Sequence, residues 1–400
     1  MNLFNFINFL SKYIGNQYIY TFASNATMTL TKHKVNFVIL DALRGLAALY
    51  VCIAHARGLV WIGMKGYLTA HPYSTWHWSD YFLAGMMAST KLSAEFVIFF
   101  FVLSGFSIAH SLSNGSKYVD FIKKRGLRLY PTYLLGLVWA AIVLYIIKTY
   151  RPEYFSGELN QSHVLFERFQ NSRSYFTVKE TINNLTYNPN TKSIIAPYWS
   201  LVYEVIFYLL APLFVLNVRW YGIVSALLFF FGFFAPTDIT LVNYFFNYNF
   251  YFCIGIFAYK YLDLLKTYAS KLSNTIVIVS SLMAMIVMVV LESIKPNIKV
   301  SMLISAMFSV FLIANILQKD VRLLFMEKIG GYSYTLYATH FQTILLFILI
   351  LDLSGILNVK EMKNPFLWIT AVPVTVGVAY LFYLISERPV KNYLNRLRRS

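Results

Sequence analysis

The chain has 400 residues, of which 58% are apolar and only 13% charged, and it carries a formal net charge of +17. Soluble domains lie nearer about 45–50% apolar and about 25% charged, so this composition excludes a soluble enzyme. It predicts an all-α, polytopic membrane bundle with no room for a separate soluble catalytic domain. The surplus of Lys and Arg is read as a topology signal and not as a nucleic-acid-binding surface.

Residues 1–35 form a first segment, in which Leu3, Phe6, Ile7, Leu10 and Ile14 recur at helical spacing between asparagines. This predicts an amphipathic helix lying in the interface; without a basic region before it, no cleavable leader is expected. With roughly 20 residues per span, ten transmembrane helices are predicted near 36–60, 92–112, 129–149, 197–217, 220–236, 244–262, 274–292, 300–317, 329–353 and 365–386. Residues 36–390 then make one transmembrane domain, and 391–400 a basic tail. Lys and Arg cluster on alternate connections: Lys32 and Lys34; Lys117 to Arg128; Lys260, Lys266 and Lys271; Lys319, Arg322 and Lys328; and Lys391 to Arg399. The positive-inside rule puts these connections and both termini in the cytoplasm.

The first span carries Asp41, Arg44 and His55. Eleven residues are about three helical turns, so Arg44 and His55 lie about 16 Å apart on one face, with only Ala48 and Val51 between them. An ionisable side chain inside a span costs about 2.5–3.5 kcal/mol and marks a functional site by default. A slender ligand fits along that face. The loop at 63–91 is rich in aromatics (Trp61, Tyr67, Tyr73, Trp76, Trp78 and Tyr81), which suit either stacking on sugar rings or an interfacial belt. Its His71 and His77 lack the spacing and companions of a metal site, and no metal is expected. Cys52 and Cys253 both fall in predicted spans and imply no disulfide.

The second span reads FVIFFFVLSGFSIAH, where Ser104 is a candidate ligand contact and Gly105 permits close helix approach. At the start of the third, KKRGLRLYP places Arg125 and Arg128 three residues apart on one helix surface. Paired guanidiniums bind phosphate in bidentate fashion, although basic anchors on anionic lipid headgroups read the same way. In the fourth span Ser200 and Glu204 share a face, and Glu204 lies at a depth comparable with His55. The ninth span, GGYSYTLYATH, puts Ser333, Tyr337 and His340 on one face; His340 is either a packing residue or part of a passage. Glu387 is expected to pair with one of the basic residues near it.

Taken in order, LDALRGLAALYVCIAH, FFVLSGFSIA, RGLRLYP, YWSLVYEVIFY, YSYTLYATH and SERPV resemble the acyltransferase 3 family of integral-membrane acyltransferases, which modify sugars and cell-surface glycans. The resemblance implies an acyl-coenzyme A donor, most commonly acetyl-CoA, used from the cytoplasm. It implies that Arg44 and His55 are essential to transfer, that Arg125 and Arg128 act near the donor, and that Glu204 is a functionally important acid. Arg44 then serves both catalysis and donor binding, while Ser104, Ser200, Tyr337 and His340 are candidates for substrate contact. The acceptor is a sugar hydroxyl of a surface polysaccharide or of its lipid-linked precursor, and the bacterial inner membrane is the expected address. Some relatives carry a further soluble esterase-like domain; here such a task falls to a separate periplasmic partner.

His55, with a reference pKa of about 6.5, can accept a proton from an attacking hydroxyl near neutral pH, with Glu204 as its orienting partner, or can carry the acyl group itself. The alternative is a polytopic transporter of a glycan or lipid-linked precursor, in which the buried Arg, His and Glu move protons or bind an anion. Against it stand the absence of an internal repeat and of paired broken helices. A non-catalytic assembly subunit leaves the Arg44 to His55 spacing unexplained.

Overall fold

The computed structural model describes residues 30–61, 63–114, 118–156, 177–186, 196–235, 239–294, 298–359, 361–362 and 364–397. The predicted N-terminal interfacial helix and most of the 150–196 loop lie outside them. Among the described residues the regular structure is entirely helical. Ten helices of twelve or more residues follow in order: α1 Phe37–Val60, α2 Ser93–Ser113, α3 Tyr118–Tyr150, α4 Trp199–Phe214, α5 Val218–Phe231, α6 Asn249–Lys260, α7 Asn274–Ile294, α8 Ile298–Lys319, α9 Ser333–Leu353 and α10 Leu367–Ile385.

Each predicted span has its helix, but only eight described stretches are long and apolar enough to cross a membrane. Two local features account for the difference from ten. First, α4 and α5 run into one stretch, Trp199–Phe231, broken by a 3₁₀ turn at Val215–Asn217. Asn217 leaves helical geometry there (φ −141°, ψ 84°) and caps α5 by accepting a hydrogen bond from the Trp220 amide. Second, α6 is preceded by a π-helical turn, Tyr244–Tyr248, so its α-helical part has only 12 residues. A wide turn of this kind re-aims side chains within a helix. The third helix also starts earlier than the predicted 129. It spans 33 residues, about 50 Å at 1.5 Å per residue, so the RGLR segment is part of the helix.

Small residues and buried amides hold the helices together, as expected where lipid removes the hydrophobic drive for association. A side chain on Gly105 of α2 would fall on the Phe252 carbonyl, and one on Gly255 of α6 on the Val102 carbonyl. Backbone cannot yield there as a side chain can. Gly105→Val is therefore expected to cost about 3 kcal/mol or more, seen as a lower melting temperature and poor recovery in detergent. Asn249, 1% exposed, accepts from Tyr221 and Tyr244 at 2.9 Å each and donates to Ser225 at 2.6 Å, tying α5 to α6. In contrast, α7 buries Met288 alone, and its apolar surface suits contact with lipid.

The predicted basic connections share one face. His33 meets Asp263 at 3.2 Å, Asn36 donates to Asp320 at 3.3 Å, Lys319 donates to the Leu272 carbonyl at 2.8 Å, and Lys391 donates to the Gly331 carbonyl. Arg322 grips Glu327 through two bonds of 2.6 and 2.7 Å and holds that carboxyl below its usual range. Glu387 bonds Lys391 at 2.9 Å and accepts from Thr335 at 2.8 Å, which is the pairing its surroundings predicted. On the opposite face Asp352 accepts from Arg151 at 2.6 Å and from Tyr154 at 2.9 Å, joining the ends of α3 and α9.

Candidate active site

Two glycines set the geometry of the site. The short helix Leu324–Gly330 lies along the first turns of α1, where a side chain on Gly45 would strike the Met326 carbonyl and one on Gly330 the Asp41 carbonyl. From this contact the two chains climb side by side. Ten residues beyond Gly45 stands His55, and ten beyond Gly330 stands His340. The packing of α9 against α1 brings the two rings together. His55 Nδ1 lies 2.9 Å from His340 Nε2, the rings meeting edge to edge with centroids 5.1 Å apart and planes 20° from parallel.

Below this pair, toward the basic face, is an open recess. Its walls include Arg44, Ser104, Ser107, Arg125, Arg128, Ser200, Glu204, Tyr208, Ser333 and Tyr337, drawn from α1, α2, α3, α4 and α9. Three guanidiniums against one carboxylate make it a cationic chamber. Arg44 is held from both sides: Nη1 donates to Asp41 Oδ1 at 2.5 Å and Nη2 to Ser107 Oγ at 2.5 Å. Ser107 in turn donates to the Leu103 carbonyl at 2.7 Å, which commits its one hydrogen and leaves its oxygen to accept from Arg44. Arg125 lies over the rings of Phe121 and Tyr208, at 5.6 and 5.4 Å from their centroids. Arg125 and Arg128 are half-buried, while Lys123 and Lys124 on the same helix are exposed. The arginine pair thus faces the recess, which the sequence could not separate from an ordinary lipid anchor.

Glu204 finds partners other than the one expected. Its Oε1 accepts from Ser104 at 2.7 Å and from Tyr208, while the imidazole of His55 is matched with His340. Ser200 and Tyr337 hydrogen-bond each other at 2.7 Å, and Tyr337 donates toward the Pro197 carbonyl at 2.8 Å. Neither histidine is among the walls of the recess. Tyr337 is the boundary: it lines the chamber, and its ring centroid is 5.7 Å from that of His340. Arg44, Arg125, Arg128, Glu204, Ser104, Ser200 and Tyr337 are therefore brought together around one space, with His55 and His340 beyond its end.

Ser107 and Tyr208 were missed in the sequence, though a signal existed. Ser107 follows Ser104 by three residues and Tyr208 follows Glu204 by four, spacings that share a helix face. The pairing of His55 with His340 had no such signal, since the two are 285 positions apart. In the aromatic loop the histidines have local tasks: His71 stacks on Tyr67 at 4.6 Å, and His77 precedes the helix Trp78–Ala88 as its cap. Tyr73, Trp78, Tyr81 and Phe82 are exposed.

An acyltransferase domain model, acyltransferase 3, matches residues 37–384 and so takes in all of these helices. The chain belongs to the acyltransferase 3 family. With its long apolar helices, this membership makes it a multi-pass membrane protein. A protein of Rhizobium radiobacter described as "Protein 2 in picA locus" is 31% identical over 121 residues, 28% of this chain. The chain spans about half (49%) of that relative's length. No solved structure matches.

Proposed function

We propose that this acyltransferase 3 protein moves an acyl group, most simply acetyl, from an acyl-coenzyme A on its basic, cytoplasmic face to a sugar hydroxyl of a surface glycan or its lipid-linked precursor in the bacterial inner membrane. The observation that carries the reading is the placement of three guanidiniums around one recess directly below the histidine pair. Coenzyme A bears a diphosphate and a 3′-phosphate, and such groups are recognised by paired arginines through charge-assisted bonds. Arg125 and Arg128 would hold the phosphates. The narrow thioester arm would then follow the α1 face past Arg44 and Tyr337 toward His55.

At His55 the acceptor hydroxyl loses its proton to the imidazole as its oxygen attacks the thioester carbonyl. The C–O bond forms, the C–S bond breaks, and the thiolate takes the proton back from the imidazole. Ser104, Ser200 and Glu204 line the path as polar contacts for donor or acceptor. The test is the ester content of surface glycans in cells with and without the protein. A base-labile mass increment of one acyl group per modified sugar, present only with the protein, is expected; identical glycans in both strains would overturn the proposal.

A further inference from the structure

Resting on the function proposed above, we infer that His340 is a positioning residue that fixes His55 as its Nδ1–H tautomer and so makes Nε2 the atom that takes the proton. His340 Nδ1 lies 3.1 Å from the Leu336 carbonyl and 2.9 Å from the Tyr337 carbonyl, the oxygens four and three residues before it. A carbonyl oxygen only accepts, so Nδ1 of His340 carries a hydrogen.

The ring is 1% exposed, and none of its hydrogen bonds goes to a carboxylate. A charge in such a place is costly unless paired, so the neutral ring is the resting form, and a neutral ring protonated at Nδ1 has its lone pair at Nε2. That lone pair faces His55 Nδ1 at 2.9 Å. His55 must therefore donate from Nδ1, which leaves its basic lone pair on Nε2. The second hydrogen bond of a histidine sets which nitrogen does the chemistry.

The arrangement also serves the step itself. When Nε2 takes the hydroxyl proton, positive charge spreads over the ring, and the Nδ1–H bond to His340 strengthens because its donor is now cationic. When Nε2 returns that proton to the leaving thiolate, the starting tautomer is restored, and His340 has neither gained nor lost a hydrogen. The packing of α9 against α1 holds the two rings together.

The test uses the full chain in lipid nanodiscs with 15N-labelled histidine, the His55 signals being those lost in His55→Ala. The wild type is expected to show protonated Nδ1 and unprotonated Nε2 at His55. His340→Leu removes the acceptor and should release the tautomer, with kcat lower by about 10²-fold and KM for the donor thioester within about two-fold. His340→Gln presents an amide oxygen near the place of Nε2, and is expected to restore both the tautomer and most of kcat. A residue that only packs would not distinguish Leu from Gln in this way. Protonated Nε2 in the wild type, or an unchanged tautomer in His340→Leu, would overturn the inference. The spectrum needs no turnover, so a wild-type protein that transfers nothing would fail the proposed function while this assignment is still decided.

Discussion

Replacing His55 with alanine is expected to lower acyl transfer by roughly 10²–10⁴-fold, the contribution typical of a positioned general base, at unchanged protein level and unchanged donor affinity. The reason is geometric. His55 stands beyond the end of the cationic recess and is not among its walls, so the phosphates of the donor are bound without it. Removing the ring takes away the proton acceptor but leaves the chamber formed by α1, α2, α3, α4 and α9 in place. The measurement is base-labile acyl content of surface glycans in cells producing either form, together with donor binding to the purified protein. Loss of transfer with retained binding is the expected result. Transfer equal to the wild type would remove His55 from the chemistry, whereas loss of binding as well would mean that the imidazole supports the chamber instead.

The second large effect is expected at the arginine pair. Hydrogen bonds to charged groups contribute about 1.5–3 kcal/mol each, and every 1.4 kcal/mol is about tenfold in affinity. Because Arg125 and Arg128 are only half-buried, the lower end of that range applies, about tenfold in KM for acyl-coenzyme A per arginine and about 100-fold for the double alanine variant. The value of kcat at saturating donor should change little, since the reacting carbonyl is far from the phosphates. Added salt should weaken donor binding by the wild type more than by the double variant. Lys123→Ala and Lys124→Ala supply the control. Both lysines are exposed on the same helix, and a generic basic anchor would lose as much from their removal as from that of the arginines. Unchanged KM in the lysine variants with raised KM in the arginine variants is the expected pattern; equal effects would return the pair to a lipid-anchoring role.

Much of this molecule was legible in one dimension because a bilayer imposes simple rules. Backbone groups must be satisfied within each span, so apolar runs translate directly into helices, and α1, α2, α7 and α10 begin and end within about two residues of their predicted limits. Periodicity along a single helix also carried real information. Arg125 with Arg128, and Ser333 with Tyr337, turn to the same recess because residues three and four apart share a face. The alternation of basic connections correctly gathered the segments around His33, Lys319 and Lys391 on one face. Intramembrane charge singled out Arg44, His55 and Glu204, and order among the motifs carried the family resemblance that the match over residues 37–384 now shows.

What the sequence could not supply was partnership between distant helices. Depth estimates put Glu204 level with His55, but the fold sets it in the recess below that pair, because a span boundary misjudged by a turn misjudges height as well. The fold turns Glu204 toward Ser104 and Tyr208, and it is His340 that meets His55. That meeting depends on α9 packing against α1, next to the close approach of the short helix Leu324–Gly330 to α1 through two glycines 285 positions apart. The 3₁₀ break at Asn217 and the π turn at Tyr244–Tyr248 likewise left no trace in hydropathy, since both keep the chain apolar while changing its direction. The sequence by itself thus determined the fold class, the helices and the polar residue types set within them, because each follows from local chemistry in a lipid environment. Only the tertiary structure decided which of those residues share a cavity and that His55 meets His340, because both depend on side-chain contacts between segments that no local pattern links.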